Sequence, residues 1–209
     1  MIWGMKDIRL ESISAPFAES GAGPAAARVV AFAATTGLLE NVNVRSLDMP
    51  TWETVLKRLR DLGIGKIQGT ATTGDIRGEE LSRAINMIYS AIEASPMPSS
   101  EWSSMRELLK DDLLERVLNV SRQSIQRYAG GERQTPQQVA DRLHAIALMA
   151  SDLAGSYNEF GIRRWFERPR TQLSGKSPVA ILKGDWNPEA DNPRRVRELA
   201  AALSGAEAA

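Results

Sequence analysis

Arg122, Gln123, Ser124, Gln126 and Arg127 follow directly after Ser121. Arginine pairs in two-pronged fashion with the O6 and N7 of guanine, glutamine with the N6 and N7 of adenine, and serine hydroxyls serve bases or phosphates. Such side chains read a major groove when a helix holds them on its outer side. The flanking pattern supplies that helix. Leu114, Val117 and Leu118 precede it, Val120 falls in a turn and Ile125 follows, so segments 112–118 and 121–129 would lock through an apolar cluster as a helix-turn-helix, with Ser121 as N-cap of the second helix. Across residues 121–142, Arg122, Arg127, Arg133 and Arg142 stand against Glu132 and Asp141, a local net charge of +2. That charge is modest for a phosphate-binding surface. A solvated helix on an ordinary bundle would carry the same pattern, and on spacing alone both readings stand.

Other chemistries are thinly supplied. The chain has no cysteine, which excludes disulfides, thiolate zinc sites, iron–sulfur clusters and a cysteine nucleophile. Its single histidine, His144, lies in an apolar helical stretch with no G-x-S-x-G elbow and reads as structural or solvated. Gly175, Lys176 and Ser177 end like a phosphate loop, yet Arg170 occupies the place of the first glycine and no strand precedes it. Asp185, Asn187, Glu189 and Asp191 alternate as in a calcium loop, but Ala190 and Val196 stand where glycine and the two-pronged Glu belong. Gly63, Gly65, Gly69 and Gly74 do not fit G-x-G-x-x-G, and the consecutive Asp111 and Asp112 point to different sides of a helix. No catalytic residue, metal or cofactor is expected. The 26 basic and 26 acidic residues cancel, so any nucleic-acid contact must come from a local patch. No leader pattern opens the chain, and the most apolar segment, 25–39, contains Arg28 and is shorter than the roughly 20 residues a membrane span needs. A cytoplasmic protein without a membrane partner is expected.

The positioning elements are mostly helical by periodicity, and the fold class expected is mainly α: an N-terminal helical or α+β domain over 1–98, the helix-turn-helix region over 99–135 and a helical domain over 136–209. Strand signals are confined to 5–13, to Val42 and Val44, and to 64–67. Helices are predicted over 24–39, 51–62, 78–94, 101–109, 112–118, 121–129, 136–153, 162–167, 178–183 and 192–203. The stretch 95–100 holds Pro96 and Pro98 among three serines and reads as the linker, with Ser99 and Ser100 as capping candidates for the next helix.

The order of these motifs carries further information. Residues 118–133, a long helix, residues 160–169 with Phe160, Gly161, Arg163, Arg164 and Trp165, and residues 173–182 with Leu173, Gly175, Lys176 and Pro178 together resemble antitoxins of the Xre/MbcA/ParS type. In that family a helix-turn-helix is followed by a small helical toxin-binding domain, in which a Trp-containing short helix leads to a Leu-Gly-Gly-Arg-Thr-Pro-like turn. The resemblance spans about residues 105–203 and leaves residues 1–100 unassigned. Two departures stand out. Ser174 holds a place where Gly is common, and residues 184–193 replace a short join to the last helix.

The resemblance implies an antitoxin whose helix-turn-helix represses its own operon as a homodimer. It also implies a C-terminal domain that occludes the active site of a RES-type toxin, a class that consumes or transfers from NAD. Ser121, Arg122, Gln123, Ser124, Gln126 and Arg127 then face operator DNA. Arg163, Arg164, Trp165, Arg168, Leu173, Gly175, Lys176 and Pro178 then form the toxin-binding surface, with Trp165 serving mainly as core beneath the arginines. The tail 204–209 is small enough to enter a pocket. Two alternatives from other classes stay open: a helix-turn-helix regulator without a toxin, and a small enzyme with its site in residues 1–100.

Overall fold

The computed structural model describes residues 11–18, 21–39, 45–64 and 78–204. The described chain is mainly α, with one two-residue parallel pairing of β1 (Ser12–Ile13) and β2 (Ser46–Leu47). Most of the strand candidate 5–13, both Val42 and Val44, residues 65–67, Gly65, Gly69, Gly74 and the tail 205–209 lie outside the described residues. Ile64 is buried and not in a strand. The helices are α1 (Gly23–Thr35), α2 (Met49–Asp61), α3 (Gly78–Glu93), α4 (Pro98–Leu118), α5 (Arg122–Ala129), α6 (Gln137–Ala154), α7 (Glu159–Glu167), α8 (Pro178–Ile181) and α9 (Asp191–Ser204), with a 3-10 turn at Thr171–Leu173. No helix of the described residues is long and apolar enough to cross a membrane.

Local chemistry explains where these helices begin. The Asp48 carboxylate accepts from the N–H of Thr51 at 2.9 Å and from the Ser46 hydroxyl at 2.7 Å, bonds that hold its pKa below the usual value. That cap, with Pro50 in the first turn, starts α2 at Met49, two residues before the periodic signal. Ser99 and Ser100, expected as caps, lie inside α4 instead. No side chain caps the first turn; the N–H of Met97 donates to Oε2 of Glu101 at 3.2 Å.

α6 is the axis of the molecule. From Arg142 to Leu153 each of its residues is buried, because α1, α4 and α9 pack around it. Alanines at 26 and 33 on α1 and at 145, 147 and 150 on α6 are buried, small enough to let backbones approach. One continuous buried cluster runs from Phe17 to Ala200. The three segments expected from the sequence therefore share a core, and the break at residues 94–97 turns the chain between α3 and α4 without dividing that core.

Two polar clusters sit inside it. At the first, Nδ1 of His144 lies 2.5 Å from Oε1 of Glu101, and the Phe32 ring meets the imidazole edge-on at 5.9 Å between centroids. Burial pushes the Glu101 carboxyl above its ordinary pKa, against the opposing pull of His144. At the second, Arg28 donates to Asp152 Oδ1 at 3.2 Å and to the Tyr89 hydroxyl at 2.8 Å. Arg197 of α9 pairs with Glu93 of α3. Desolvation, aided by Asp152, pushes the Tyr89 phenol up to about 12. These links bind α1 and α3 to α6 and α9.

A candidate nucleic-acid interface and a basic C-terminal face

The helix-turn-helix expected from the sequence is built as follows. α4 breaks at Lys110, whose φ of 66° and ψ of 157° are non-helical, so residues 111–118 form a separate first helix. Asn119 then adopts the left-handed conformation (φ 55°, ψ 46°), which asparagine tolerates better than most residues. Ser121 is extended and its Oγ accepts from the N–H of Ser124 at 3.2 Å, the cap that starts α5. Leu114, Val117, Leu118, Ile125 and Tyr128 are buried between the two helices and the rest of the core.

Arg122, Gln123, Gln126 and Arg127 are exposed on α5. Ser121 and Ser124 differ from them. Their hydroxyls lie 3.0 Å apart and serve the cap, and Ser124 is half-buried. On one flank α5 faces carboxylates: Oε1 of Glu115 accepts from the N–H of Arg122 at 3.2 Å, and Arg122 and Gln126 share an open cleft with Arg106, Glu107, Lys110, Asp111 and Asp112. In that cleft Arg106 grips Asp111 through two bonds of 2.8 and 3.0 Å, which holds the Asp111 carboxyl below its ordinary pKa. The surface is of mixed charge, with an outward row of arginine and glutamine that a groove could receive.

The segment 184–193 reaches this site through Asp185 and Trp186. Trp186 Nε1 donates to the carbonyl of Val117 at 2.6 Å. Buried Arg142 of α6 donates to the carbonyls of Trp186 at 2.7 Å and Leu118 at 3.4 Å and to Asp185 at 3.1 Å, and Asn119 donates to Asp185 at 3.2 Å. Those two bonds, the one from Asn119 first, lower the Asp185 pKa. The carbonyl end of the first helix and the turn are thereby clamped to the C-terminal segment. Sequence reading finds neither clamp partner, since Arg142 looks like one cation among several and Trp186 sits in a polar loop.

The other candidate surface divides into scaffold and contact. Trp165, Leu173 and Pro178 are buried, with Trp165 at 1% exposure, and form the scaffold of the turn. Arg163, expected as a contact, is half-buried and committed: its Nη1 donates to the carbonyl of Leu108 at 2.9 Å, beside the break in α4. Arg170 stacks over Trp165 with its guanidinium carbon 4.7 Å from the ring centroid, and desolvation lowers its pKa. Gly175 has φ +76° and follows Ser174 in the left-handed region at φ 56°, so the tight turn asks for glycine at 175. Arg164, Arg168 and Lys176 remain exposed. Phe160 at the start of α7 is 62% exposed, and Arg164, one turn later, lies beside its ring, with Arg168 a further turn along the same side.

Among the described residues no group of three or more His, Asp and Glu side chains is placed to hold a metal ion. Compared with protein-family models, curated proteins and solved structures, the chain matches none.

Proposed function

We propose that this chain is an antitoxin of a type II toxin–antitoxin system: a cytoplasmic, non-enzymatic homodimer that represses its own operon and neutralises a RES-type, NAD-consuming toxin by closing its entrance. The observation that carries the reading is the helix-turn-helix itself, with a Ser121-capped second helix presenting Arg122, Gln123, Gln126 and Arg127 to solvent. A dimer follows from readout, because one eight-residue helix spans too few base pairs and two-fold pairing doubles them. The exposed cations Arg164, Arg168 and Lys176 of the C-terminal region support docking on an acidic rim; an NAD-accepting pocket floor, itself built to receive phosphates, would repel them.

The test is binding of the full chain to its own promoter as salt is varied. Arg127→Ala should weaken binding and reduce the salt slope by about one if that side chain meets a phosphate. Gln123→Ala should relax sequence preference without changing the slope. Promoter affinity equal to that for unrelated DNA, unaffected by either substitution, would remove α5 from the interface. Co-expression with the product of the adjacent gene tests the second half: growth must fail with that product alone and recover with both.

A further inference from the structure

α7 turns its apolar residues inward at Ile162, Trp165 and Phe166, yet begins with an aromatic side chain turned the other way. Phe160 is 62% exposed, more than Ile13, Leu62 or Met87, the other large apolar residues that reach solvent among those described. Its position is fixed by the helix start. Asn158 caps α7 by accepting from the N–H of Gly161 at 2.9 Å, and Gly161 lies so close to Tyr157 that an added Cβ would stand 3.0 Å from the ring. Phe160 is therefore held outward on a rigid first turn between a cap and a close packing contact. One turn later Arg164 lies on the same side, its guanidinium carbon 5.9 Å from the Phe160 ring centroid.

The charge around this ring is unbalanced. Arg116 pairs with Glu167, and Arg163 lies 4.0 Å from Glu159. Arg164, Arg168 and Lys176 are exposed and have no carboxylate within ion-pair distance among the described residues. A solvent-facing aromatic ring beside an unpaired arginine is the composition of an interface hot spot, in which the ring fills a pocket and the arginine meets a carboxylate at its edge.

We infer that Phe160 is the anchor of the protein-docking face, inserted into an apolar notch rimmed by Asp and Glu on the partner, with Arg164 and Arg168 pairing with that rim. This rests on the antitoxin reading, since the occupant is the toxin encoded beside the chain. A protein is favoured over duplex DNA because a phosphate backbone would engage the arginines and leave the ring without a partner. A rigid anchor also loses little side-chain freedom on docking, which favours slow dissociation.

The experiment measures the Kd and rates of the full chain with the purified adjacent-gene product, its active site disabled by substitution. Phe160→Ala should raise Kd roughly 30-fold or more, mainly through faster dissociation, while leaving the thermal midpoint and promoter affinity unchanged. Phe160→Tyr should keep most of the affinity, and Met87→Ala, which truncates the other strongly exposed side chain, should change nothing. The double variant Arg164→Ala, Arg168→Ala should slow association and flatten its salt dependence. A Phe160→Ala Kd within twofold of the parent overturns the anchor while sparing the antitoxin reading. Loss of promoter affinity in that variant would assign the face to DNA and overturn the inference. A parent chain that does not bind the adjacent product at all overturns both readings together.

Discussion

Lys110→Gly should stabilise this protein, although it places glycine in the middle of what the backbone trace shows as a single 21-residue helix. At φ 66° and ψ 157° Lys110 occupies a region that is essentially restricted to glycine, and holding another residue there costs about 1–3 kcal/mol. Glycine removes that strain and gives back roughly 0.5–1 kcal/mol through the greater freedom of its unfolded chain. The Lys110 side chain is exposed and makes no ion pair among the described residues, so little else is lost. The net expectation is about 1 kcal/mol of added stability, a rise of about 2–4 °C in melting midpoint for a chain of this length. Lys110→Ala keeps the strain and should sit near the parent. In an unbroken helix the order would invert, with glycine about 1 kcal/mol below alanine. Guanidinium melts of the three proteins, checked for a common m value, separate the cases: glycine stands about 1 kcal/mol above alanine with the break and about 1 kcal/mol below it without, a swing of about 2 kcal/mol. A glycine variant no more stable than the alanine variant refutes the break at Lys110, and with it the separate first helix of the helix-turn-helix.

Glu101→Gln tests the buried pair through its pH dependence. Burial raises the folded-state pKa of Glu101 above its unfolded value near 4.5, so its favourable contribution is complete below that value and is lost as pH rises through the folded one. The stability of the glutamine variant relative to the parent should therefore improve as pH climbs from about 4 toward neutrality in paired denaturant titrations; a difference moving the other way would show that attraction to His144 outweighs desolvation. At the 3-10 turn, Gly175→Ala should cost about 1–2 kcal/mol, since the added Cβ meets no atom within 4 Å and the penalty is purely that of φ +76°. Ser174→Gly, at φ 56°, should change stability in the opposite sense, and thermal melts of both variants check the pair of signs.

Helix periodicity made most of the fold legible, because amphipathic repetition is a local signal. Segments such as 78–94 and 136–153 emerge within a residue or two of α3 and α6. The separate helices expected over 101–109 and 112–118 agree with the break at Lys110. The outward row of α5 follows from the same arithmetic, as does the burial of Trp165. What sequence could not reach is polar pairing over distance. Arg28 and Asp152 stand 124 residues apart, Glu101 and His144 43, Arg142 and Trp186 44, and no periodic pattern joins such partners. Nor could it tell Arg163 from Arg164: adjacent arginines look alike until the fold hands one a helix carbonyl and leaves the other beside Phe160.

Those long-range pairs bear on how the two surfaces relate. Arg163 ties α7, which carries the basic face, to the carbonyl of Leu108, two residues before the strained Lys110. On the far side of the break Asp111 is held by Arg106, and at the other end of the first helix Arg142 and Trp186 grip the carbonyls of Leu118 and Val117. The helix-turn-helix is thus fastened at both ends to elements outside it, and its Arg116 pairs with Glu167 of the helix that presents Phe160. α1 and α3 reach the same framework through Arg28, Tyr89, Asp152 and the Glu93–Arg197 pair. Removing residues 1–98 would expose the α1-facing side of α6, which is largely apolar, and would leave the Asp152 carboxylate buried without its cation. The N-terminal helices are part of the body that carries both surfaces, and any role proposed for them has to be compatible with keeping α6 covered.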